Sequence, residues 1–583
     1  MFDLRFTVTC QDPEAECRIT PLSDENGILV SRVSVRFPRV KTPSPVRIEW
    51  EDEMRGILGV WHPSCGTDHA VRQWFAPTVS RSRFHFGAPL LAVYGDRDVN
   101  RATVAVSDPV TPLALSFWIK DLDQRNTVGF ALTLFSEASD ACEVYETLLR
   151  VDAREIPFSE AVGDAYPFWR ANGYGIPSPP PAAFDPLYSS WYNFHQAPQG
   201  AKLVEELKIA SELGFKTVIL DDGWQFPGPS CGDYSFCGEW TVAEDKFPDF
   251  RAFSGAVHAL GMKLVVWFAV PFIGVKSPLF EQFRGKYLHV DRGLLQAGVL
   301  DVRYPEIRSF IIGNYSRFLK QYDIDGFKFD FIDSFAEGNE TAPFDPAVMD
   351  CVTVGDAVRK LLGEIEETLG AIKPGLLYEY RQNYVGPAVN RFGNMLRVAD
   401  CAYDARVNRI GIVDLRLLGY PVAVHSDMLF WAPSESSVLV AKQLLGVLFS
   451  VPQISVLLTE CGEEQRELIR TFIAYWTANR DVLLRGRFLP ASPGSNYPVT
   501  VAEGEKKRIA LLCGEPYFRV GELDCDIFSI CDEDGILLEN VSDRPRTASL
   551  YARFGAEPLG TEILPPRSVT KLPLPRTGLV RVR

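Results

Sequence analysis

Phe215-Lys216-Thr217-Val218-Ile219-Leu220-Asp221-Asp222-Gly223-Trp224 is the stretch on which the reading of this chain turns. An apolar run of strand length ends abruptly in two carboxylates and a glycine. Such a run suits a strand buried on both faces, and the glycine marks the turn out of it. Further along, Asp325-Gly326-Phe327-Lys328-Phe329-Asp330 again ends a strand-like segment in an acid.

Working outward, the middle of the chain contains eight strand candidates. They are Leu187 to Tyr192, Thr217 to Asp222, Lys263 to Val270, Gly326 to Ile332, Gly375 to Tyr380, Met395 to Asp400, Pro421 to Asp427 and Ile454 to Leu458. Helical patterns lie between them, as at Ala201 to Leu213, Phe253 to Leu260, Pro305 to Gln321 and Asp356 to Leu369. Pro305 suits the first turn of a helix, where a missing N–H costs nothing. Strands alternating with helices signal βα units and a parallel sheet. Eight units fit a (β/α)8 TIM barrel. The alternative is an open doubly wound sheet. The count of eight favours the barrel, as does the lack of a GxGxxG loop after the first strand.

Both flanks have a different pattern. Before residue 140, short alternating segments such as Ile28 to Val35, Val46 to Trp50 and Leu113 to Trp118 are separated by turn residues. That pattern predicts a β-sandwich. An amphipathic helix is expected to begin around Ala141 to Val151, and a Pro/Gly-rich connector follows at Gly173 to Pro181. After a helix at Glu463 to Ala478, strands return at Lys507 to Leu512, Ile527 to Ile530, Thr547 to Tyr551 and Ser568 to Leu574. The chain therefore reads as three parts. An N-terminal β-sandwich covers 1–160, a barrel with its linker 161–484, and a small C-terminal antiparallel β-sandwich domain 485–583.

Composition narrows the function classes. Of 583 residues, 46% are hydrophobic and 12% aromatic, enough for more than one large core. Acids number 75 against 60 bases, a formal charge of −15. A nucleic-acid backbone or an anionic membrane face needs a basic surface, so neither is an expected partner. No apolar stretch reaches the roughly 18 residues of a membrane span. The start, Met1 to Cys10, lacks a basic stretch followed by an apolar run, so no secretory signal is expected. The 12 cysteines then read as free thiols of a cytoplasmic protein. Cys231 and Cys237 lack CxxC spacing and have no histidine cluster, so neither a metal nor another cofactor is expected. A homo-oligomer is left open.

In a barrel, chemistry gathers where the strands end at the C-terminal face. Here those ends hold Asp221, Asp222 and Trp224 on strand two, and Lys328 and Asp330, followed by Asp333, on strand four. Strand five offers Glu379 and Arg381, strand six Arg397 and Asp400, strand seven His425 and Asp427. Trp191 and Trp267 add aromatic faces. Carboxylates accept hydrogen bonds from hydroxyls and aromatic rings stack on a pyranose, so the mixture points to a sugar. Hydrolysis of a glycosidic bond needs two carboxyl groups, one ionised and one protonated. Lys328 lies two residues from Asp330 and shares its strand face, which favours the ionised form of Asp330. His425-Ser426-Asp427 is not a catalytic triad, because neighbours on a strand point to opposite faces.

Three of these segments resemble clan D α-glycosidases. Asp221-Asp222-Gly223-Trp224 resembles their second barrel strand. Asp325-Gly326-Phe327-Lys328-Phe329-Asp330 is similar to their nucleophile strand, and Arg397-Val398-Ala399-Asp400 to their acid/base strand. The order and the three-part layout resemble glycoside hydrolase family 36, which contains α-galactosidases. The resemblance implies Asp330 as nucleophile and Asp400 as acid and then base. It implies that Asp221 and Asp222 bind hydroxyls far from the anomeric carbon, with Trp224 as a platform, and Lys328 and Arg397 bind near it. Retention of configuration follows, with carboxyl groups about 5–5.5 Å apart.

Two segments depart from the family pattern. Where family members often carry a cysteine with glycines on strand five, this chain has Tyr378-Glu379-Tyr380-Arg381. Glu379 is then the candidate for the 2-hydroxyl, as in family 27, and Arg381 for an anionic group on the sugar. Trp267-Phe268-Ala269-Val270-Pro271 lacks an acid after the tryptophan. Family 31 enzymes share the Phe-Lys-Phe-Asp strand. An α-glucosidase, an enzyme for an anionic sugar, a transglycosylase and an inactive sugar-binding barrel therefore stay open beside the α-galactosidase. A metal-dependent barrel enzyme lacks any HxH set to support it.

Overall fold

The computed structural model describes residues 4–121, 125–225, 233–555 and 557–583. Its central sheet has eight parallel strands. They are β1 (Leu187–Ser189), β2 (Thr217–Leu220), β3 (Lys263–Ala269), β4 (Gly326–Asp330), β5 (Leu377–Arg381), β6 (Met395–Arg397), β7 (Ala423–His425) and β8 (Gln453–Ile454). They run in the order β7-β6-β5-β4-β3-β2-β1-β8. Parallel bridges His425–Val451 and Leu429–Ile454 bring the two outer strands together, and the sheet curls into a barrel. Each strand falls on one of the eight sequence candidates, usually ending earlier.

Period two along β4 explains how it fits. Phe327 and Phe329 point outward and pack on Tyr315 and Tyr378. Lys328 and Asp330 therefore point inward. In register, Lys328 faces Trp267 of β3 and Glu379 of β5. Gly326 is required by the close approach of β5, since a Cβ there would lie 2.2 Å from the Leu377 carbonyl oxygen. The strand ends where Phe331 turns into the left-handed region at φ 63°.

Helices cover the barrel: α1 (Gly200–Glu212), α2 (Phe250–Ala259), α3 (Pro305–Tyr322), α4 (Val354–Ile372), α5 (Ala405–Leu417), α6 (Ser437–Gly446) and α7 (Glu463–Arg485). Pro305 opens α3, and the Thr353 hydroxyl caps α4 by accepting from the Asp356 N–H.

The N-terminal part is two antiparallel sheets of five and six strands, face to face over a core that includes Val35, Ile48, Trp50 and Phe130. Trp50 and Phe130 stack with centroids 5.4 Å apart. The helix expected around Ala141 to Val151 is instead the strand Cys142–Asp152. It pairs with Ile28–Lys41 on one side and Asn100–Val106 on the other. Two-sided pairing outweighs the local helical pattern. The C-terminal part holds sheets of seven and three strands, mostly antiparallel. Two pairs there are parallel, Lys507–Leu512 with Asp524–Ser529 and Tyr517–Val520 with Ile536–Asn540.

Every described cysteine is a free thiol, and Cys231 lies outside the described residues. No helix among those residues is long and apolar enough to cross a membrane.

The three parts meet at one buried acid. Asp414 of α5 accepts from Trp61 Nε1 at 2.9 Å, from the N-terminal sheets, and from the Tyr497 hydroxyl at 3.3 Å, from the C-terminal part. Burial pushes its carboxyl up to about 8, against the pull of those two hydrogen bonds. The folded chain thus keeps a proton that the unfolded chain releases near the ordinary value, about 3.9. Stability from this group is complete at low pH and is lost as pH rises from about 4 to about 8. Asp414→Asn keeps the acceptor oxygen but cannot ionise. Its melting temperature, relative to the parent chain, is expected to climb between pH 5 and pH 8. Parallel melting curves across that window contradict the assignment.

Candidate active site

Asp330 ends β4 with its side chain inside the barrel mouth. Its Oδ1 accepts from Arg381 Nε at 2.6 Å and from the Phe331 N–H at 2.8 Å, and its Oδ2 from Trp267 Nε1 at 3.1 Å. Burial disfavours the charge, yet Arg381 and then Lys328 outweigh it and hold the carboxyl well below the usual range. Arg381 is itself fixed between the rings of Phe331 and Tyr384, 5.4 and 5.7 Å from their centroids, and reaches Asp333 at 3.4 Å.

A second group surrounds Lys328. Its Nζ donates to Asp221 Oδ2 at 2.6 Å and lies 3.9 Å from Glu379. The Asp222 N–H donates to Asp221 Oδ1 at 3.0 Å. Asp222 accepts from Gln196 and Gln225, and burial pushes it up to about 6 against those hydrogen bonds.

The third group centres on Arg397, completely buried at the end of β6. Its Nη1 donates to Asp400 at 2.8 Å and to Asp427 at 2.6 Å. Asp427 also accepts from the Tyr192 hydroxyl and the Cys401 N–H. Asp400 alone reaches solvent, with its side chain 57% exposed against 0% for both partners. Partial burial raises the Asp400 carboxyl, but Arg397 and Lys328 outweigh it and the net direction is down. Asp330 is near enough to push it up.

Three of the expected positions need correction. Trp224 is not a platform at the mouth. It is fully buried behind the strands against Phe250, Phe268 and Phe318, and its Nε1 donates to the Trp267 carbonyl. His425 does not line the mouth either. It is fully buried and hydrogen-bonded to the Ala183 carbonyl, just before β1, and to Gln453. Glu379 lies two residues deeper than Arg381 and is engaged by Gln453 at 2.6 Å, with Lys328 and Arg397 close by. The strand-five side chain beside Asp330 is therefore Arg381. Trp191 stays partly exposed in a short turn of helix after β1, its ring 4.9 Å from His195.

Gln453 and Tyr234 escaped the sequence reading, whereas Tyr192 was expected only as an aromatic of the sugar site and not as the partner of Asp427. Tyr192, Gln453 and Tyr234 act across strands, and only the three-dimensional closure brings them in. Tyr234 stacks on Trp267 at 6.1 Å. Among the described residues, no group of three or more His, Cys, Asp or Glu side chains is arranged to hold a metal.

Comparison with known proteins bears on this geometry. The Melibiase family model matches residues 187–349, the span from β1 to just before α4. α-Galactosidase 1 of Pediococcus pentosaceus is 29% identical over 147 residues, 24% of this chain and 19% of its own length. The bifunctional α-galactosidase/sucrose kinase AgaSK of Mediterraneibacter gnavus is 30% identical over 159 residues, 26% of this chain and 16% of its own. The matched stretch thus spans under a fifth of those curated relatives. In three dimensions the likeness is broader. The family 36 α-galactosidase AgaA of Geobacillus stearothermophilus aligns with all of this chain and 87% of its own, with a TM-score of 0.65 at 15% identity. The α-galactosidase of Lactobacillus brevis covers all of this chain and 84% of its own, at a TM-score of 0.63 and 14% identity.

The chain resembles glycoside hydrolase family 36. The Melibiase model match takes in β1 to β4, with Asp221, Asp222, Lys328 and Asp330, and ends before β5 and β6.

The Lys328–Asp221 pair is buried on both sides, with side-chain exposures of 5% and 3%. Removing one partner leaves an uncompensated charge. Asp221→Asn is expected to lower unfolding stability by about 3 kcal/mol, read from urea denaturation. A loss below about 0.5 kcal/mol, the scale of a surface substitution, contradicts a buried ammonium held by Asp221.

Proposed function

We propose that the chain is a retaining exo-α-glycosidase, α-galactosidase-like, that removes a terminal α-linked sugar by double displacement. The observation that carries the reading is Asp330 held ionised beside Arg381 and Trp267, with the exposed Asp400 near it on Arg397. In the first step an Asp330 oxygen attacks the anomeric carbon. The glycosidic bond breaks and the leaving oxygen takes a proton from Asp400. In the second step Asp400, now a carboxylate, takes a proton from water. The water oxygen attacks the anomeric carbon and releases Asp330. Asp221 and Asp222 accept from hydroxyls at the far side of the ring, and Lys328 and Arg397 hold the groups around them in place.

Charge supports a neutral sugar over an anionic one. Arg381 is neutralised by Asp330 and Asp333, Lys328 by Asp221, and Arg397 by Asp400 and Asp427. None of these three cations is left over for a sugar carboxylate. AgaA variants have been solved with stachyose and with raffinose. Oligosaccharides of that kind are the substrates we infer for this chain, in the cytoplasm, with the sandwich, barrel and tail parts divided near residues 160 and 484.

The test is hydrolysis of an aryl α-galactoside followed by proton NMR. α-Galactose as first product is expected. Asp330→Gly should lose on the order of 10³-fold or more in kcat, and added azide should restore turnover as the β-galactosyl azide. β-Galactose as first product, or an active Asp330→Gly chain, overturns the reading. Arg397 holds Asp400 low, and the free protein's kcat/KM reports that acid. The value of kcat/KM is thus expected to decline with rising pH from the acid side of neutrality. A level profile over about pH 5 to 9 contradicts Asp400 as the acid.

A further inference from the structure

Asp427, just beyond the end of β7, is fully buried and out of a sugar's reach. It nevertheless grips the chain on both sides of Asp400. Its Oδ1 accepts from Nη1 of Arg397 at 2.6 Å, and Arg397 precedes Asp400 on the same segment. Its Oδ2 accepts from the Cys401 N–H at 2.8 Å, directly after Asp400. The Tyr192 hydroxyl donates to the same Oδ2 at 2.8 Å.

Asp427 and Tyr192 are themselves fixed. The Asp427 N–H donates to Asn408 Oδ1 at 3.0 Å, and its carbonyl accepts from Asn408 Nδ2 at 2.9 Å, so α5 clamps its backbone. The Tyr192 N–H donates to Ser455 Oγ at 2.9 Å, just after β8, and its ring lies 5.9 Å from that of Phe430. Asp400 has the opposite character. Its side chain is largely exposed, and its one side-chain hydrogen bond among the described residues comes from Arg397.

The charge of Arg397 is divided. Nη1 serves Asp427 at 2.6 Å and Asp400 at 2.8 Å, and Nε lies 3.4 Å from Glu379. Three carboxylates thus share one guanidinium. Asp400 faces the cations Arg397 and Lys328 and the anions Asp330 and Asp427. The other titratable neighbours are uncharged. Burial pushes the Tyr192 hydroxyl and the Cys401 thiol up, and pushes His425, which faces Arg397, down to about 4. An acid paired with an undivided arginine gives up its proton early. A general acid needs to keep its proton near the working pH.

We propose that Asp427, supported by Tyr192, is the positioning residue of Asp400. It draws Arg397 away from Asp400, which lets the acid keep its proton. Through the Cys401 N–H it also fixes the turn that aims the carboxyl at the leaving oxygen. This role rests on the reading of Asp400 as acid and base.

The test compares kcat/KM of the full chain and its variants on two substrates. A sugar leaving from raffinose needs a proton from the acid, whereas fluoride leaving from α-galactosyl fluoride does not. Asp427→Asn removes the charge and offers one oxygen where Asp427 uses two. Its loss on raffinose is expected to exceed its loss on the fluoride about ten-fold, and the falling limb of its raffinose pH profile should move about one unit lower. Tyr192→Phe, which keeps the ring, should show the same bias at about three-fold, and it decides the matter alone if Asp427→Asn does not fold. Asp400→Ala should show the largest bias. Equal losses on both substrates for Asp427→Asn and Tyr192→Phe, with the falling limb unmoved, overturn the positioning role. If Asp400→Ala keeps its bias in that case, the acid reading stands and only the role of Asp427 falls. Equal losses for Asp400→Ala as well overturn both.

Discussion

A carboxylate stays ionised inside a protein only when a fixed cation meets it, and Asp330 meets Arg381 at 2.6 Å. The rest of the mouth follows from that pairing. Arg381 needs its own support, which Phe331, Tyr384 and Asp333 supply. Trp267 occupies the remaining oxygen of Asp330 and is stacked by Tyr234. Each charge brought into the barrel demands another, and the demand passes from β4 to β5 and on through Lys328 to β2.

The same constraint divides labour between the two acids. Asp330 is enclosed and paired on both oxygens, which suits a group that must remain charged. Asp400 has one partner and faces solvent, which suits a group that exchanges protons. Asp427 competes with Asp400 for Arg397, so the hold on Asp400 is shared. With Arg381, Lys328 and Arg397 all paired to carboxylates, the mouth suits hydroxyls over charge. The resemblance to α-galactosidases is consistent with that balance, though the family-model match ends before β5.

The barrel was legible because buried parallel strands are written as apolar runs with acids at their ends. β4 was legible down to its faces, since Lys328 and Asp330 stand two residues apart. Legibility failed where partners come from distant strands. Arg381 was read as a ligand for an anionic sugar, because nothing in the sequence says that β5 sets it against Asp330. Trp224 was read as a platform, yet it follows a glycine turn, where strand alternation no longer fixes direction. Tyr192 with Asp427 and Gln453 with Glu379 join residues 235 and 74 apart, a pairing only barrel closure produces. The segment 142–152 carries a helical pattern that two neighbouring strands override.

The role of Asp330 is tested most directly by trapping the covalent intermediate. The chain is incubated with 5-fluoro-α-galactosyl fluoride, digested, and the peptides are read by tandem mass spectrometry. A 5-fluorogalactosyl adduct on Asp330, formed as the anomeric fluoride leaves, is the expected result. Rapid turnover with no adduct, or an adduct on Asp333 or Asp400 instead, contradicts Asp330 as the nucleophile.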